Sequence, residues 1–201
     1  MKQEDMNFSN LLQRLIITVA FILFLLAFGY VTAQSHREIS EKKITRITIH
    51  TTDKSKKKND GKTVVSSYDI HGFVTEEIEL DADSTILRWE KTINDKKGNL
   101  LEELQLDAAG KLIRSTKYQY DRWDNLTAKT IRDVDGNIYE IQVNEYNAFN
   151  DLITETWFDG HKAIKKKTVY EYDKMGMLTS KKTYDAGGDL IYSRIFQYEY
   201  H

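Results

Sequence analysis

The chain contains no cysteine and no proline. The absence of cysteine excludes disulfide bonds, a thiol nucleophile, Cys-ligated metal sites and the lipid-modified cysteine of bacterial lipoproteins, and it leaves the redox compartment undetermined. The absence of proline means that no residue removes a backbone donor from a β-ladder. Because tyrosine, threonine and isoleucine are frequent, the composition favours long, regular β-strands.

An excess of charge of one sign is also lacking. The chain has 29 basic and 31 acidic residues, for a net charge of −2. A dedicated nucleic-acid-binding domain carries a basic patch or stripe, so we expect no nucleic-acid partner. The length of 201 residues corresponds to one or two domains.

The one long apolar run spans residues 15–33, follows basic residues and is followed at once by a polar segment. Val31 and Ala33 occupy the −3 and −1 positions before Gln34, the pattern of a secretory signal peptide cleaved after Ala33. The alternative is an uncleaved single-pass anchor, since a run of this length just spans a bilayer. Both alternatives predict a hydrophobic N-terminal helix and an extracytoplasmic location for residues 34–201, which would be periplasmic, cell-surface or secreted.

An acidic or amide residue recurs along the rest of the chain. The interval between successive occurrences alternates strictly between 12 and 14 residues. The two intervals together form a repeat of about 26 residues, within the range of known repeat architectures. Most residues three positions later are Gly, Asp or Asn, which tolerate the positive φ of a tight hairpin turn. Lys162 is an exception, and Gly160 two positions earlier predicts a rebuilt Asp-Gly turn there. The recurring residues are Asp69, Asp81, Asp95, Asp107, Asp121, Asp133, Asn147, Asp159, Asp173 and Asp185.

Two further columns follow the same repeat. An aliphatic residue stands five positions after each recurring residue, as at Val74, Leu100 and Leu126. A mostly aromatic column stands just before alternate turns, and it consists of Tyr68, Asn94, Tyr120, Tyr146, Tyr172 and Tyr198. Because both intervals are even, each column stays on one face of a sheet.

These columns predict an all-β fold. We expect an antiparallel β-hairpin repeat array of about 12 strands, forming an extended or coiled meander after the hydrophobic N-terminal helix. Both faces carry Lys, Glu and Thr, so cross-strand pairs rather than a thick two-layer core should hold the sheet together. The predicted divisions are residues 1–33 (signal peptide or anchor), 34–62 (N-terminal strand and charged loop) and 63–201 (hairpin repeats).

Two strands are predicted ahead of the repeats, over residues 44–51 and 63–68. The segment 53–62 between them holds a cluster of four lysines at 54 and 56–58 and Asp-Gly at 60–61, which is typical of a solvated hairpin loop. An anion-binding patch is the alternative interpretation of these lysines.

Three segments resemble the YD-repeat family, also called rearrangement-hot-spot (RHS) repeats. They are residues 120–126 (YDRWDNL), 172–178 (YDKMGML) and 184–190 (YDAGGDL), and the more degenerate resemblance covers residues 66–201. The family motif is Tyr-Asp, two variable residues, Gly, one further residue and Leu. The resemblance implies an exported bacterial protein whose hairpins form a continuous sheet, and carbohydrate binding has been proposed for such repeats. Long members enclose a toxin in a shell, but five units are too few to close one, so we expect no encapsulation by this chain.

Motifs for catalysis or metal binding are scarce. None of the five histidines has a metal-ligand spacing, and the sequence contains no nucleophile elbow or phosphate-binding glycine loop. The Asp column is explained by turns, in which Asp bonds its own backbone. Residues 133–137 superficially resemble a calcium loop but lack the bidentate Glu of an EF-hand. We therefore predict no catalytic residue, no metal and no cofactor.

The aromatic residues provide the remaining candidate site. Trp89, Trp123 and Trp157 are evenly spaced but out of phase with the repeat, so we interpret them as local packing residues rather than a sugar-stacking strip. The tyrosine column is in phase. It predicts either a structural cross-strand aromatic ladder or a ligand platform, whose candidate residues are Tyr120, Tyr146, Tyr172 and Tyr198.

The sequence favours a non-enzymatic, extracytoplasmic β-repeat module that binds a cell-surface carbohydrate or an envelope protein. Membrane contact is expected only through residues 15–33, if they are not cleaved. The alternative is a structural or assembly protein that pairs through an exposed sheet edge near residues 191–200. A carboxylate-based hydrolase is the third class, and it requires carboxylates that converge in a cleft between repeats.

Overall fold

The structure is a computed structural model that describes residues 35–52 and 61–199. The predicted signal peptide or anchor, and most of the charged loop at 53–62, lie outside the described residues. The chain divides into two compact units, residues 1–45 with 70–72, and residues 46–69 with 73–201. No helix in the described ranges is long and apolar enough to cross a membrane.

In the first unit, a short helix α1 spans His36–Glu41. Ser35 caps it: the Glu38 N–H donates to the Ser35 hydroxyl (3.3 Å), and the Ser35 N–H donates to the Glu38 carboxylate (3.1 Å). This reciprocal capping box satisfies two of the free donors at the start of the helix. Ile39 is buried, and the Ser40 hydroxyl donates to the Ile70 carbonyl oxygen at 2.7 Å within the same unit.

In the second unit, twelve strands form a single antiparallel sheet in which every strand pairs with its neighbours in sequence. This confirms the predicted all-β hairpin array, which is an open meander. The predicted strands at 44–51 and 63–68 correspond to the first two. The strands are β1 (Arg46–Thr51), β2 (Lys62–Tyr68), β3 (Val74–Leu80), β4 (Ile86–Asn94), β5 (Leu100–Leu106), β6 (Leu112–Tyr120), β7 (Leu126–Asp133), β8 (Ile138–Tyr146), β9 (Leu152–Asp159), β10 (Ile164–Tyr172), β11 (Leu178–Asp185) and β12 (Leu190–Ile195).

The nine hairpin turns from 81–84 to 185–188 share one hydrogen-bond pattern. At the β6–β7 turn, the Asp124 N–H donates to the Asp121 carbonyl oxygen (3.2 Å), and the Asp121 N–H donates to the Asn125 carbonyl oxygen (3.0 Å). This is a three-residue hairpin loop in which the last loop residue adopts positive φ. The residue at the fourth turn position has positive φ in all ten turns of the array, namely Gly72, Ser84, Gly98, Gly110, Asp124, Gly136, Asn150, Lys162, Gly176 and Gly188.

The rebuilt turn predicted at Gly160 is wrong. Lys162 itself adopts φ +66°, and its N–H donates to the Asp159 carbonyl oxygen at 3.0 Å, as in the other turns. Gly160 has a different role. A Cβ added there would lie 2.2 Å from the carbonyl oxygen of Ile138, so only glycine fits against the neighbouring backbone.

The two faces of the sheet differ in burial. On β8, the residues that share a face with Tyr146 are buried or half-buried, whereas Tyr139, Val143 and Glu145 on the other face are exposed. Ile131 is the one buried aliphatic residue in the described part of this unit. The other buried side chains are polar: Ser66, Thr116, Asn144, Thr168 and Ser180.

Small polar residues of this set form hydrogen bonds with side chains on neighbouring strands. The Thr168 hydroxyl lies 3.0 Å from the Thr183 hydroxyl, and the Ser180 hydroxyl donates to the Glu171 carboxylate at 2.5 Å. Pairs of this kind each contribute roughly 0.2–1 kcal/mol. The described sheet therefore relies on its ladders and cross-strand pairs, in agreement with the expectation that no thick core is present.

Candidate functional site

The turns lie in two rows, one at each end of the strands. We call turns 95–98, 121–124, 147–150 and 173–176 the first turn row. The second turn row comprises turns 81–84, 107–110, 133–136, 159–162 and 185–188. Neighbouring turns of one row are separated by two strands, which corresponds to about 10 Å.

The side chain of the first residue of each turn accepts hydrogen bonds from nearby backbone N–H groups. In the turn that begins at Asp95, the carboxylate accepts the N–H groups of Lys97 (2.8 Å) and Asn99 (2.9 Å). Partial desolvation tends to raise the pKa of the Asp95 carboxyl, but these hydrogen bonds outweigh it and the pKa lies below its usual value. The Asp column is thus part of the turn, as the sequence predicts.

Hydrogen bonds also join neighbouring turns of the first row. The Asn99 amide donates to the Asp124 carboxylate at 3.0 Å, and the Lys97 ammonium lies 2.8 Å from the same carboxylate. One repeat further along, the Asn125 amide donates to the Asn150 side-chain oxygen at 3.0 Å. The spacing of these turns is therefore fixed by side chains as well as by the sheet.

The two rows present different side chains at their tips. In the first row, the third turn residue is Lys97 in the first turn and Trp123, Phe149 and Met175 in the next three, which have exposures of 57%, 84% and 66%. In the second row, the two middle residues are small, acidic or His, as in 108–109 (Ala-Ala) and 186–187 (Ala-Gly), except for Val134, which is 49% exposed. Three successive turns of the first row therefore hold a large apolar side chain in solvent.

A groove lies between the last two turns of the first row. We call it the first-row groove; its volume is about 520 Å³. Apolar and aromatic side chains line it together with carboxylates and an ammonium group. The side chains that define it are Phe149, Ile153, Tyr170, Tyr172, Lys174 and Met175.

A second groove of the same kind lies two repeats earlier. It has a volume of about 570 Å³ and is lined by Leu101, Tyr118 and Tyr120, which correspond to Ile153, Tyr170 and Tyr172 in the repeat. Asp95, Asp121 and other polar residues make it more polar than the first-row groove. The repeat therefore builds similar grooves from equivalent residues.

The tyrosine column has a structural role at its hydroxyl end. Four of the hydroxyls donate to the carbonyl oxygen of the aliphatic residue 20 positions earlier, at 3.0 Å for Tyr120 and Tyr146, 2.9 Å for Tyr172 and 2.8 Å for Tyr198. The side-chain amide of Asn94 likewise donates to the carbonyl oxygen of Val74, 20 positions earlier, at 2.9 Å. Burial raises the pKa of Tyr120, Tyr146 and Tyr172.

The structure therefore places Tyr120, Tyr146 and Tyr172 at the ends of β6, β8 and β10, half-buried and with hydroxyls engaged by the backbone, whereas Tyr198 follows β12. Tyr120 lines one groove and Tyr172 the other. The Tyr198 side chain is more exposed, at 39%. Whether the rings form a ligand platform stays a prediction.

The three tryptophans lie in three different environments. Trp89 is half-buried on β4, and its indole N–H donates to the Glu76 carboxylate at 2.9 Å. Trp157 is half-buried on β9, with Lys166 over its ring at 4.9 Å. The packing interpretation is wrong for Trp123, which is exposed at a turn tip, with the guanidinium of its neighbour Arg122 3.8 Å from the centre of its ring.

Sequence reasoning missed the apolar tips of the first turn row. The signal was present, because Trp123, Phe149 and Met175 occupy one repeat column that also holds Lys97. The residue types in this column vary, so it attracts less notice than the invariant turn positions beside it. The structure brings out the column by showing that its side chains are exposed.

Carboxylates converge elsewhere, around Arg88. Its guanidinium pairs with Glu77 and, at 3.0 Å, with Glu90, while Glu79 lies 4.0 Å away. Only 18% of the Arg88 side chain is exposed. Burial raises the pKa of Glu90 although Arg88 opposes the shift, so the cluster is a half-buried, ion-paired network between β3 and β4.

The calcium-like loop is a turn of the second row. The Asp133 carboxylate accepts the N–H groups of Asp135 (3.0 Å) and Asn137 (2.9 Å). Among the residues that the structure describes, no three His, Asp or Glu side chains are grouped so that they could hold a metal ion.

No family model and no curated protein matches the chain. Among solved structures, a porin-like protein from Bacteroides uniformis ATCC 8492 is 13% identical with a TM-score of 0.40, and the match covers 77% of this chain and 56% of that one. The complex TcdB2-TccC3-Cdc42 is 12% identical with a TM-score of 0.26, over 74% of this chain and 11% of that one. TarM is 8% identical with a TM-score of 0.25, over 85% and 26%. The chain thus spans about half the length of the porin-like protein and less of the others.

Proposed function

We propose that the chain is a non-enzymatic, extracytoplasmic binding module of YD-repeat type whose first turn row binds a cell-surface carbohydrate. The observation that carries this proposal is the first-row groove. It places Phe149 and Met175, 84% and 66% exposed, beside the rings of Tyr170 and Tyr172. Ligand sites combine apolar and aromatic walls with a few polar groups in this way.

The chemistry of the groove suits a saccharide. The C–H face of a sugar ring packs on aromatic and thioether side chains, which bury apolar surface without requiring a hydrogen bond. The hydroxyl groups of a sugar need donors and acceptors at the rim, and Asp151 and Lys174 provide both. Since equivalent grooves recur along the repeat, a chain of sugar units would contact several turns and gain affinity from multiple sites.

A binding role also accounts for the carboxylates better than catalysis does. The turn carboxylates, such as Asp95, accept backbone N–H groups, and those around Arg88 are held in ion pairs. A glycosidase needs two carboxyl groups that face a scissile bond. The carboxylate that begins a turn, such as Asp95, faces its own turn, the Asp124 carboxylate is held by the neighbouring turn, and those around Arg88 face its guanidinium.

The extracytoplasmic location rests on the sequence. The apolar run at 15–33 with its Ala33–Gln34 junction supports export, and the YD-like segments support a place at the cell surface. Mass spectrometry of the protein recovered from its host distinguishes the alternatives. A chain that begins at Gln34 supports a released module, and an intact N-terminus supports a tethered one.

The experiment is a glycan array followed by titration of the best-binding saccharide. We expect the double variant Phe149→Ser, Met175→Ser to lower affinity by about tenfold or more, since each change removes apolar contact worth about 1 kcal/mol or more. Val134→Ser in the second turn row is the matched control, because Val134 is also an exposed turn residue (49%). Equal affinity in both variants would contradict the proposal, and binding of envelope proteins but of no glycan would replace the ligand class.

A further inference from the structure

The first-row end of the sheet has a β-bulge in each repeat. On β5, Leu100 and Glu102 pair with successive residues of β4, so Leu101 between them is the extra residue of the bulge. An extra residue of this kind is left out of the ladder and bends its strand. The equivalent extra residues recur with the repeat, and they are Thr75, Leu101, Thr127, Ile153 and Thr179.

These bulge residues alternate in chemistry. The threonine hydroxyls donate to backbone carbonyl oxygens of the preceding strand, at 3.3 Å for Thr75, 3.1 Å for Thr127 and 3.0 Å for Thr179. Leu101 and Ile153 have no side-chain donor, and they present apolar surface to the two grooves described above. An apolar bulge residue therefore returns at every second repeat.

Each apolar bulge residue lies opposite a tyrosine of the next strand. The register of β5 with β6 places Leu101 opposite Tyr118. The register of β9 with β10 places Ile153 opposite Tyr170 in the same way. Each pair lines one groove, so the same two positions of the repeat form the apolar wall of both grooves.

The other repeats hold polar pairs at these positions. Thr75 lies opposite Thr92, and Thr127 lies opposite Asn144. The Thr92 hydroxyl and the Asn144 amide donate to backbone carbonyl oxygens at 2.5 Å and 2.9 Å. Apolar and polar pairs thus alternate from β3 to β10, and the unit that builds a groove comprises two repeats.

A lysine of the following strand accompanies each groove tyrosine. The Lys129 ammonium lies 5.6 Å from the centre of the Tyr118 ring, and the Lys181 ammonium lies 5.2 Å from that of Tyr170. A glutamate stands in place of this lysine in the repeats with polar pairs. The two grooves therefore share an apolar bulge residue, a tyrosine and an ammonium group that can donate to the hydroxyl groups of a sugar.

We propose that the groove at Leu101 and Tyr118, which we call the second groove, is a saccharide site equivalent to the first-row groove, so that one chain binds its glycan at two points. Four strands separate the grooves, which corresponds to about 19 Å along the sheet. A polysaccharide that spans this distance occupies both grooves and binds more tightly than a short saccharide. Phe149 and Met175 add apolar surface to the first-row groove, so we expect it to be the tighter site.

Bivalent binding rests on the proposed function of the first turn row, and a short probe separates the two. The probe is the disaccharide unit of the glycan that binds best on the array. We expect isothermal titration calorimetry to show two disaccharides bound per chain. One disaccharide per chain would overturn the second site and leave the proposed function standing, whereas an array without any bound glycan would remove both.

The repeat itself supplies a polar replacement for the second groove. The double variant Leu101→Thr, Tyr118→Asn gives this repeat the pair that Thr127 and Asn144 form one repeat later. Since the sheet already holds such a pair, we expect the variant to keep its β-sheet circular dichroism. It should bind one disaccharide per chain, with the affinity of the tighter site unchanged.

The equivalent change in the first-row groove, Ile153→Thr with Tyr170→Asn, is the matched control and should leave only the weaker site. A polysaccharide of the same unit completes the test. We expect the parent chain to bind it about a hundredfold or more tightly than the disaccharide, and each double variant to lose that gain. Two disaccharides bound by either variant, or an undiminished gain for the polysaccharide, would overturn bivalent binding.

Discussion

The hydroxyl of Tyr172 donates to the Leu152 carbonyl oxygen at 2.9 Å, while its ring lines the first-row groove. One residue therefore serves the sheet with its hydroxyl and the groove with its ring. The same division applies to Tyr120, which donates to Leu100 and lines the more polar groove. Structural and ligand-binding interpretations of the tyrosine column are thus compatible, and they concern different atoms.

Removing only the hydroxyl separates these roles. Tyr172→Phe should lower the free energy of unfolding by about 1 kcal/mol, the usual contribution of one hydrogen bond, and should leave saccharide affinity unchanged because the ring remains. Urea denaturation and the saccharide titration measure the two quantities. Tyr139→Phe is the control, since Tyr139 is 56% exposed on the opposite face. A loss of affinity without a loss of stability would show that the hydroxyl contacts the ligand instead.

The turn at 159–162 yields a pair of opposite changes. Lys162 holds φ +66°, which costs a non-glycine residue about 1 kcal/mol, so Lys162→Gly should raise the thermal unfolding midpoint. Gly160→Ala should lower it by more, because the added Cβ would meet the Ile138 carbonyl oxygen at 2.2 Å. If Gly160→Ala proved harmless and Lys162→Gly destabilised the protein, the turn would be of the Asp-Gly type.

At the scale of elements, the pairing of β3 with β4 concentrates charge. The guanidinium of Arg88 on β4 faces Glu77 and Glu79 on β3, and Glu90 two residues along. Burial raises the pKa of Glu90. A raised carboxyl pKa means that protonated Glu90 favours the folded state: this contribution is fully present below the pKa of the unfolded chain and is lost as pH rises through the folded pKa.

Replacing Arg88 should show how far the surrounding carboxylates depend on its positive charge. Arg88→Gln should lower the free energy of unfolding by about 3 kcal/mol at pH 7, since breaking a largely buried ion pair leaves carboxylates uncompensated. The deficit should shrink as the pH falls, because Glu90, whose pKa burial raises, then takes up a proton. Lys117→Gln is a control, because it removes an ion pair that is more exposed. The Lys117 ammonium lies 3.8 Å from Glu102, and 59% of the Lys117 side chain is exposed. A deficit independent of pH would mean that Arg88 acts through packing alone.

The hairpin array is predictable from the sequence because its determinants are local. Asp121 and its equivalents bond their own turn, and glycine or asparagine three residues later supplies positive φ, so spacing alone indicates turns and strands. Helix α1 was not predicted, although Ser35 and Glu38 form a recognisable capping box. The positive φ of Lys162 was missed since the turn is imposed by its neighbours and by the sheet, against the preference of the residue.

At the scale of the whole molecule, the difference between the two turn rows was not predictable in the same way. The exposure of Phe149 and Met175 depends on their position at turn tips, and the grooves depend on how turns one repeat apart come together across two strands. A column of variable residue types carries no propensity signal for such an arrangement. The rows nevertheless give the array two chemically distinct ends, and the proposed function belongs to one of them.

Nuclear magnetic resonance titration of the isotope-labelled chain with its best-binding saccharide tests the central claim most directly. The account predicts that amide shifts change in the first turn row, chiefly at residues 147–153 and 170–177, while the second row and β12 stay unchanged. Shifts confined to the second row, or to strand centres around Arg88, would contradict it.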